Sequence, residues 1–139
     1  MRGSYTRLYV HLVWATRERQ PWLTGDVQAA VYACVRQDCA AMKVEVLGIG
    51  GVADHVHLLV RFPAAIAIAD LVKQLKGSSS HLVTHRLDRS FQWQGGYGAF
   101  TLNRSLVLRV QSYIARQQEH HESKTLYVAL ERDADEDDT

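Results

Sequence analysis

Apolar side chains fill almost every position of residues 8–16. Leu8, Val10, Leu12 and Trp14 fall on one alternation, and Tyr9 and Val13 on the other. A strand with apolar residues on both faces reads as a central strand covered on both sides. The period then lengthens. Val27, Ala30, Val31, Cys34, Val35 and Cys39 recur at helical spacing, and Thr24 stands where an N-cap belongs, so a helix is expected over 24–42. Residues 44–49 read as a second strand, 50–54 as a turn opened by Gly50-Gly51, and 55–62 as a third strand that closes a hairpin and stops at Pro63. A second helix is expected over 66–87, loosened near Gly77-Ser78-Ser79-Ser80. A glycine-rich loop over 91–98 leads to a short strand over 99–102. A third helix is expected over 106–121.

The order β-α-β-β-α-β followed by a helix is the ferredoxin-like pattern, an α+β fold with an antiparallel sheet and two helices on one face. Such a sheet leaves its other face open. The two-sided first strand implies that something covers part of that face as well.

Composition narrows the class. A chain of 139 residues fits one domain, and 47% hydrophobic residues is ordinary for a globular protein. No apolar run approaches the ~18 residues of a membrane span, and no secretory leader is indicated, so a cytoplasmic protein without membrane attachment is expected. Cys34 and Cys39 make neither a CxxC pair nor a zinc pattern, and are expected to be reduced packing residues. The net charge of +1 hides an asymmetry. Residues 131–139 hold six acidic residues and one arginine, a net of −5, leaving 15 basic and 9 acidic residues in 1–130. We therefore expect one domain over 1–130 and an acidic, disordered tail over 131–139. A mildly basic body suits phosphate binding.

Two constellations carry chemistry. In His55-Val56-His57 the strand period turns both imidazoles to one face, about 6.7 Å apart at Cα from a rise of roughly 3.3 Å per residue. They can lean onto one metal ion, or be two histidines on a half-exposed strand. Tyr113 and Gln117 are four apart in a helical pattern and share a face. That pair can present a hydroxyl and an oxygen ligand together, or be packing residues beside the apolar stripe of Leu106 and Val110.

Taken together and in this order, these residues resemble the single-tyrosine HUH transposases of the smallest bacterial insertion sequences (IS200-like), including relatives that act on repetitive extragenic palindromes. The matching residues are His55, Val56 and His57; Tyr113 with Gln117, then His120 and His121; and the aromatic-glycine stretch from Trp93 to Phe100. The segments Tyr9-Val10-His11-Leu12-Val13-Trp14 and Leu75-Lys76-Gly77 are also similar, and the likeness covers roughly residues 5 to 127. Arg116 stands where relatives often have Asn.

The resemblance implies the same fold, with a tyrosine-bearing helix added at the end. It implies cleavage and rejoining of single-stranded DNA with Mg²⁺ or Mn²⁺ held by His55, His57 and Gln117. Tyr113 would be the nucleophile of a 5′-phosphotyrosine intermediate. The DNA partners would be hairpin-forming element ends or palindromes. It further implies a homodimer with sites in trans, one chain's His55 and His57 meeting the other's Tyr113. Arg17, Arg19, Lys73, Lys76, Arg104 and Arg116 are candidate phosphate contacts. Trp93, Tyr97 and Phe100 are candidates to stack bases, and His11 for a group behind the metal ligands. The histidine pair is expected at the surface. Two other readings stand beside this one: a non-catalytic nucleic-acid-binding module and a metal-dependent phosphodiesterase that uses water.

Overall fold

The two-sided first strand does become the centre of a sheet. The structure is a computed structural model, which describes residues 4–117. The strands are β1 (Tyr9–Ala15), β2 (Glu45–Val52), β3 (His55–Arg61) and β4 (Gly98–Leu102), in the antiparallel order β2-β3-β1-β4. The helices are α1 (Gly25–Ala41), α2 (Ile68–His81) and α3 (Val107–Ala115). This is the expected ferredoxin-like α+β arrangement with an added C-terminal helix. The acidic segment 131–139, His120 and His121 lie outside the described residues, as does the continuation of α3 expected to 121.

One face of the sheet builds the main core. Val10, Leu12 and Trp14 of β1 and Val56, Leu58 and Val60 of β3 meet Val27, Val31, Val35 and Cys39 of α1 and Leu71, Val72 and Leu75 of α2. The α1 positions are the inward stripe read from its period, although Ala30 and Cys34 are only half buried. Thr24 occupies the N-cap position of α1 without a side-chain capping bond. Both cysteines are free thiols, and burial pushes Cys39 up to about 11, where it stays a protonated, unreactive packing group.

The opposite face is covered by α3. Val110 and Ile114 pack on Leu59, with Leu47, Leu102 and Val107 around them. The cover that β1 called for is thus supplied, in this chain, by its own last helix.

Two local expectations are corrected. Gly50 and Gly51 are not a turn. They continue β2 opposite His57 and Val56, and the reversal is confined to Ala53-Asp54. The reason is steric. A Cβ at Gly50 would stand 2.4 Å from the Ile114 carbonyl oxygen, so glycine is what lets α3 approach the strand. The Gly77–Ser80 stretch does not loosen α2. Ser78 and Ser79 bond back to the Gln74 and Leu75 carbonyls at 3.0 and 2.6 Å, which is compatible with a continuing helix. The irregularity comes later, as a π-helical turn over Leu82–Arg86.

Candidate active site between β3 and α3

The period-2 alternation of β3 sends Val56 and Leu58 into the main core and His55 and His57 to the α3 side. The two imidazole rings meet edge to face with centroids 5.0 Å apart. They are not at the surface as expected. His55 is 2% and His57 0% exposed, because α3 is laid over them. From α3, Tyr113 places its ring edge-on to His57 at 6.0 Å, and Gln117 brings Oε1 to 3.0 Å from His55 Nε2. Helical spacing puts both residues on one face, and the close pass of α3 over Gly50 sets that face on the histidines.

Each histidine is also held from behind. His57 Nδ1 lies 2.8 Å from His11 Nε2, and their rings stack at 5.0 Å. His55 Nδ1 lies 2.7 Å from Asp54 Oδ1, where the carboxylate accepts the ring N–H. With Nδ1–H given to Asp54, a neutral ring turns its Nε2 lone pair toward Gln117, whereas a protonated ring donates Nε2–H to Gln117 Oε1 as well. At 3.0 Å a ring N–H donates to the amide oxygen, whereas a ring lone pair facing that oxygen needs a cation between the two or a turned amide. Two ligands on metal bonds of about 2.1 Å at a right angle are separated by about 3.0 Å, so the donor set fits a small divalent ion. Among the described residues there is no group of three or more His, Cys, Asp or Glu side chains able to hold a metal. The candidate set of two imidazoles and one amide carries no negative charge. It would bind weakly and leave coordination positions to a phosphate.

Arg19 reaches the same corner. Its Nη1 lies 3.8 Å from Asp54 Oδ1. The loop that carries it is strained: Glu18 and Arg19 both have φ of 55°, a left-handed conformation that costs non-glycine residues on the order of 1–3 kcal/mol each. Strain of this kind persists where surrounding structure over-determines it.

The other candidate phosphate contacts are distributed differently. Arg17, exposed, donates to Gln92 Oε1 at 2.5 Å. Lys76, half buried, donates to the Gln94 and Gly96 carbonyls at 2.6 and 3.0 Å. These two line one groove. Arg104 lines a separate hollow with Arg7 and Arg61. Lys73 is exposed on α2 and Arg116 is exposed just past α3. Among the aromatic candidates, Trp93 is tied to the core: it donates Nε1–H to Ser79 Oγ at 2.9 Å and packs against Trp14 and Phe91. Phe100 stands beside His11 at 6.2 Å.

Asp54 and Gly50 were missed by sequence reasoning. Asp54 had a signal, since an acid directly before a histidine at a hairpin turn can reach its ring. Gly50 had none, because its role depends on a helix 64 residues further on.

With this geometry the chain can be set beside known proteins. The family described as Transposase IS200 like matches residues 4–117. The ISDra2 transposase TnpA of Deinococcus radiodurans is 30% identical over 123 residues, covering 84% of this chain and 88% of its own. The transposase of insertion sequence element IS200 from Salmonella typhimurium is 28% identical over 116 residues, covering 78% and 76%. A crystal structure from Deinococcus radiodurans, described as a transposase, superposes with a TM-score of 0.68 at 27% identity, covering 84% of this chain and 95% of that one. A REP-associated tyrosine transposase, solved bound to a REP hairpin, shares the fold at a TM-score of 0.67 and 14% identity, covering 87% and 73%. The chain belongs to the IS200-like transposase family.

Proposed function

We propose that this protein cuts and rejoins single-stranded DNA through a covalent bond to Tyr113. The observation that carries the reading is the meeting of Tyr113 and Gln117 with His55 and His57 under one helix. A structural tyrosine needs no such company.

Tyrosine has an unperturbed pKa of about 10 and is a weak nucleophile at neutral pH. The site must therefore assist at the phosphate. His55, His57 and Gln117 would hold Mg²⁺ or Mn²⁺. The bound ion would act as a Lewis acid on a non-bridging phosphate oxygen and offset its charge. Asp54 and His11 fix which ring nitrogens face that position. Arg19 adds positive charge at its rim. Tyr113 Oη attacks phosphorus in line, the bond to the 3′ oxygen breaks, and a 5′-phosphotyrosine and a free 3′-OH result. The new ester keeps the energy of the old one, so attack by a second 3′-OH rejoins strands without a nucleotide cofactor. The expected partners are hairpin-forming element ends or palindromes.

The working unit is a homodimer with sites in trans. Leu106 and Leu108, at the head of α3, are 41% and 80% exposed and offer apolar surface where a second copy would meet the helix. Exchange of α3 between two copies would rebuild every contact of α3 with the sheet, so both arrangements share one site geometry.

The test is direct. The protein is mixed with single-stranded DNA from its own locus in Mg²⁺ or Mn²⁺ and run on a denaturing gel. A covalent adduct mapping to Tyr113, lost in EDTA, is expected. Cleavage without an adduct would mean that water is the nucleophile. Binding without cleavage would mean a non-catalytic module.

A further inference from the structure

At the head of α3, away from the histidines, lies a hollow of about 480 Å³. Arg7, Tyr9, Glu45, Arg61, Arg104 and Val107 are among the residues that line it. It lies on the same face of the sheet as the site. Alternation along β3 puts His55, His57, Leu59 and Arg61 on one side, and α3 packs on Leu59. Tyr9, the strand partner of Arg61, stands two residues from His11, which backs His57. Four residues of β3 separate Arg61 from His57, about 13 Å at roughly 3.3 Å per residue. A single strand with a phosphate at the histidines covers that distance in a few nucleotides.

The arginines are the anomaly. Three of them line one hollow, and among the described residues none forms an ion pair with a carboxylate. Glu45 is the strand partner of Arg61 and yet makes no ion pair with it. The bonds they do make are to neutral groups. Arg7 donates Nε–H to the Tyr5 hydroxyl and sets its guanidinium 5.3 Å from the Tyr5 ring centroid. Arg61 donates Nη2–H to the Thr6 carbonyl at 3.2 Å. Such contacts orient a guanidinium while occupying few of its five donors. The positive end of the α3 dipole, at Val107, adds to the field.

Tyr5 is the second observation. Its side chain is 72% exposed, beside the arginine it orients. Basic groups that follow a backbone, interleaved with exposed aromatic rings on which bases stack, are how proteins hold single strands.

We propose that this hollow clamps the single strand a few nucleotides from the scissile phosphate, with Arg7, Arg61 and Arg104 on phosphate oxygens and Tyr5 stacked on an adjoining base. The inference rests on the DNA-cleaving function proposed above and deepens it by giving the substrate a second anchor. Arginine suits the task, because its planar fork meets two phosphate oxygens at once. A nucleic-acid strand is favoured over an acidic protein segment because the exposed ring offers a base a face to stack on, and because the hollow shares its face of the sheet with the histidines.

The test measures binding of single-stranded DNA from the protein's own locus to the full chain over a range of salt concentrations. The variants are Arg104→Gln, the triple change Arg7→Gln with Arg61→Gln and Arg104→Gln, Tyr5→Leu, and Arg36→Gln. The last removes an exposed arginine from α1, on the opposite face of the sheet. Each lost phosphate contact flattens the dependence of log affinity on log salt by about 0.7, so the triple variant should lose about 2 from the wild-type slope. Arg104→Gln should lose about 0.7. It breaks no side-chain bond of the fold, so the outcome does not depend on the triple variant folding. Arg36→Gln should keep the wild-type slope. Tyr5→Leu should bind roughly tenfold more weakly. Four results overturn the inference: arginine variants of the hollow with the wild-type slope, an Arg36→Gln slope reduced as much as that of Arg104→Gln, a Tyr5→Leu protein that binds as the wild type does, or hollow variants that bind DNA more tightly, which would mean that an acidic protein segment fills the hollow. Each leaves the cleavage reading standing if the wild type still forms its adduct. A wild type that neither binds nor cleaves single strands overturns both proposals.

Discussion

At Tyr113 the same side chain can be packing or chemistry, and the two roles separate on one atom. The residue is 3% exposed and its ring contacts His57. Tyr113→Phe keeps that packing, so thermal unfolding should move by no more than about 1 kcal/mol. The DNA adduct should disappear while single-strand binding stays within a few-fold. Retained adduct formation in the Phe protein would place the nucleophile elsewhere. Asp54 acts one step back. Asp54→Asn is isosteric but replaces the charged acceptor facing His55 Nδ1. Manganese affinity, read by electron paramagnetic resonance of the free ion, should fall about 10- to 100-fold. An unchanged affinity would remove Asp54 from the account. His57→Ala is a harsher change than a surface histidine would suggest. It empties a fully buried position, so loss of metal binding should come with about 1–3 kcal/mol of lost stability in chemical denaturation.

The decisive element is α3, and its seat depends on a residue with no side chain. The Ile114 carbonyl passes so close to Gly50 that a methyl group there must displace the helix end. Gly50→Ala should cost about 1–3 kcal/mol, as overpacking of a tight contact does. It should also reduce cleavage far more than that loss of stability explains, because Tyr113 and Gln117 move with the helix. An Ala protein with wild-type adduct yield would mean that α3 finds its place without this contact. Strand β3 carries its two histidines through a different logic. Its main-core face and its pairing with both β1 and β2 lock the register, and a one-residue slip would bury the imidazoles among aliphatic side chains.

For the whole molecule the proposed homodimer is tested by which chain supplies the tyrosine. In one chain α3 already lies over its own histidines, and exchange between two copies would reproduce the same contacts. Mixing His57→Ala protein with Tyr113→Phe protein, each inactive alone, distinguishes the two. Sites in trans give each mixed dimer one intact site, so adduct formation should return to at most about half of wild type per mixed dimer. Heterodimers shown to form that stay inactive would establish that the tyrosine acts within its own chain.

The amino-acid sequence by itself determined the sheet, both long helices and the family, because each rests on local period or local spacing. Alternation separated Val56 and Leu58 from His55 and His57, and four-residue spacing joined Tyr113 to Gln117. What only the tertiary structure decided is depth and company. The histidines are buried rather than exposed because α3 covers them, a contact across more than fifty residues that no local pattern encodes. Gly50-Gly51 looked like a turn because glycine is permissive; it is strand because a helix must pass above it. The backing of His57 by His11, and the gathering of Arg7, Arg61 and Arg104 around one hollow, likewise depend on which strands and loops become neighbours. Short-range order follows from side-chain sequence and backbone geometry, whereas a site assembled from distant segments exists only once the chain has closed on itself.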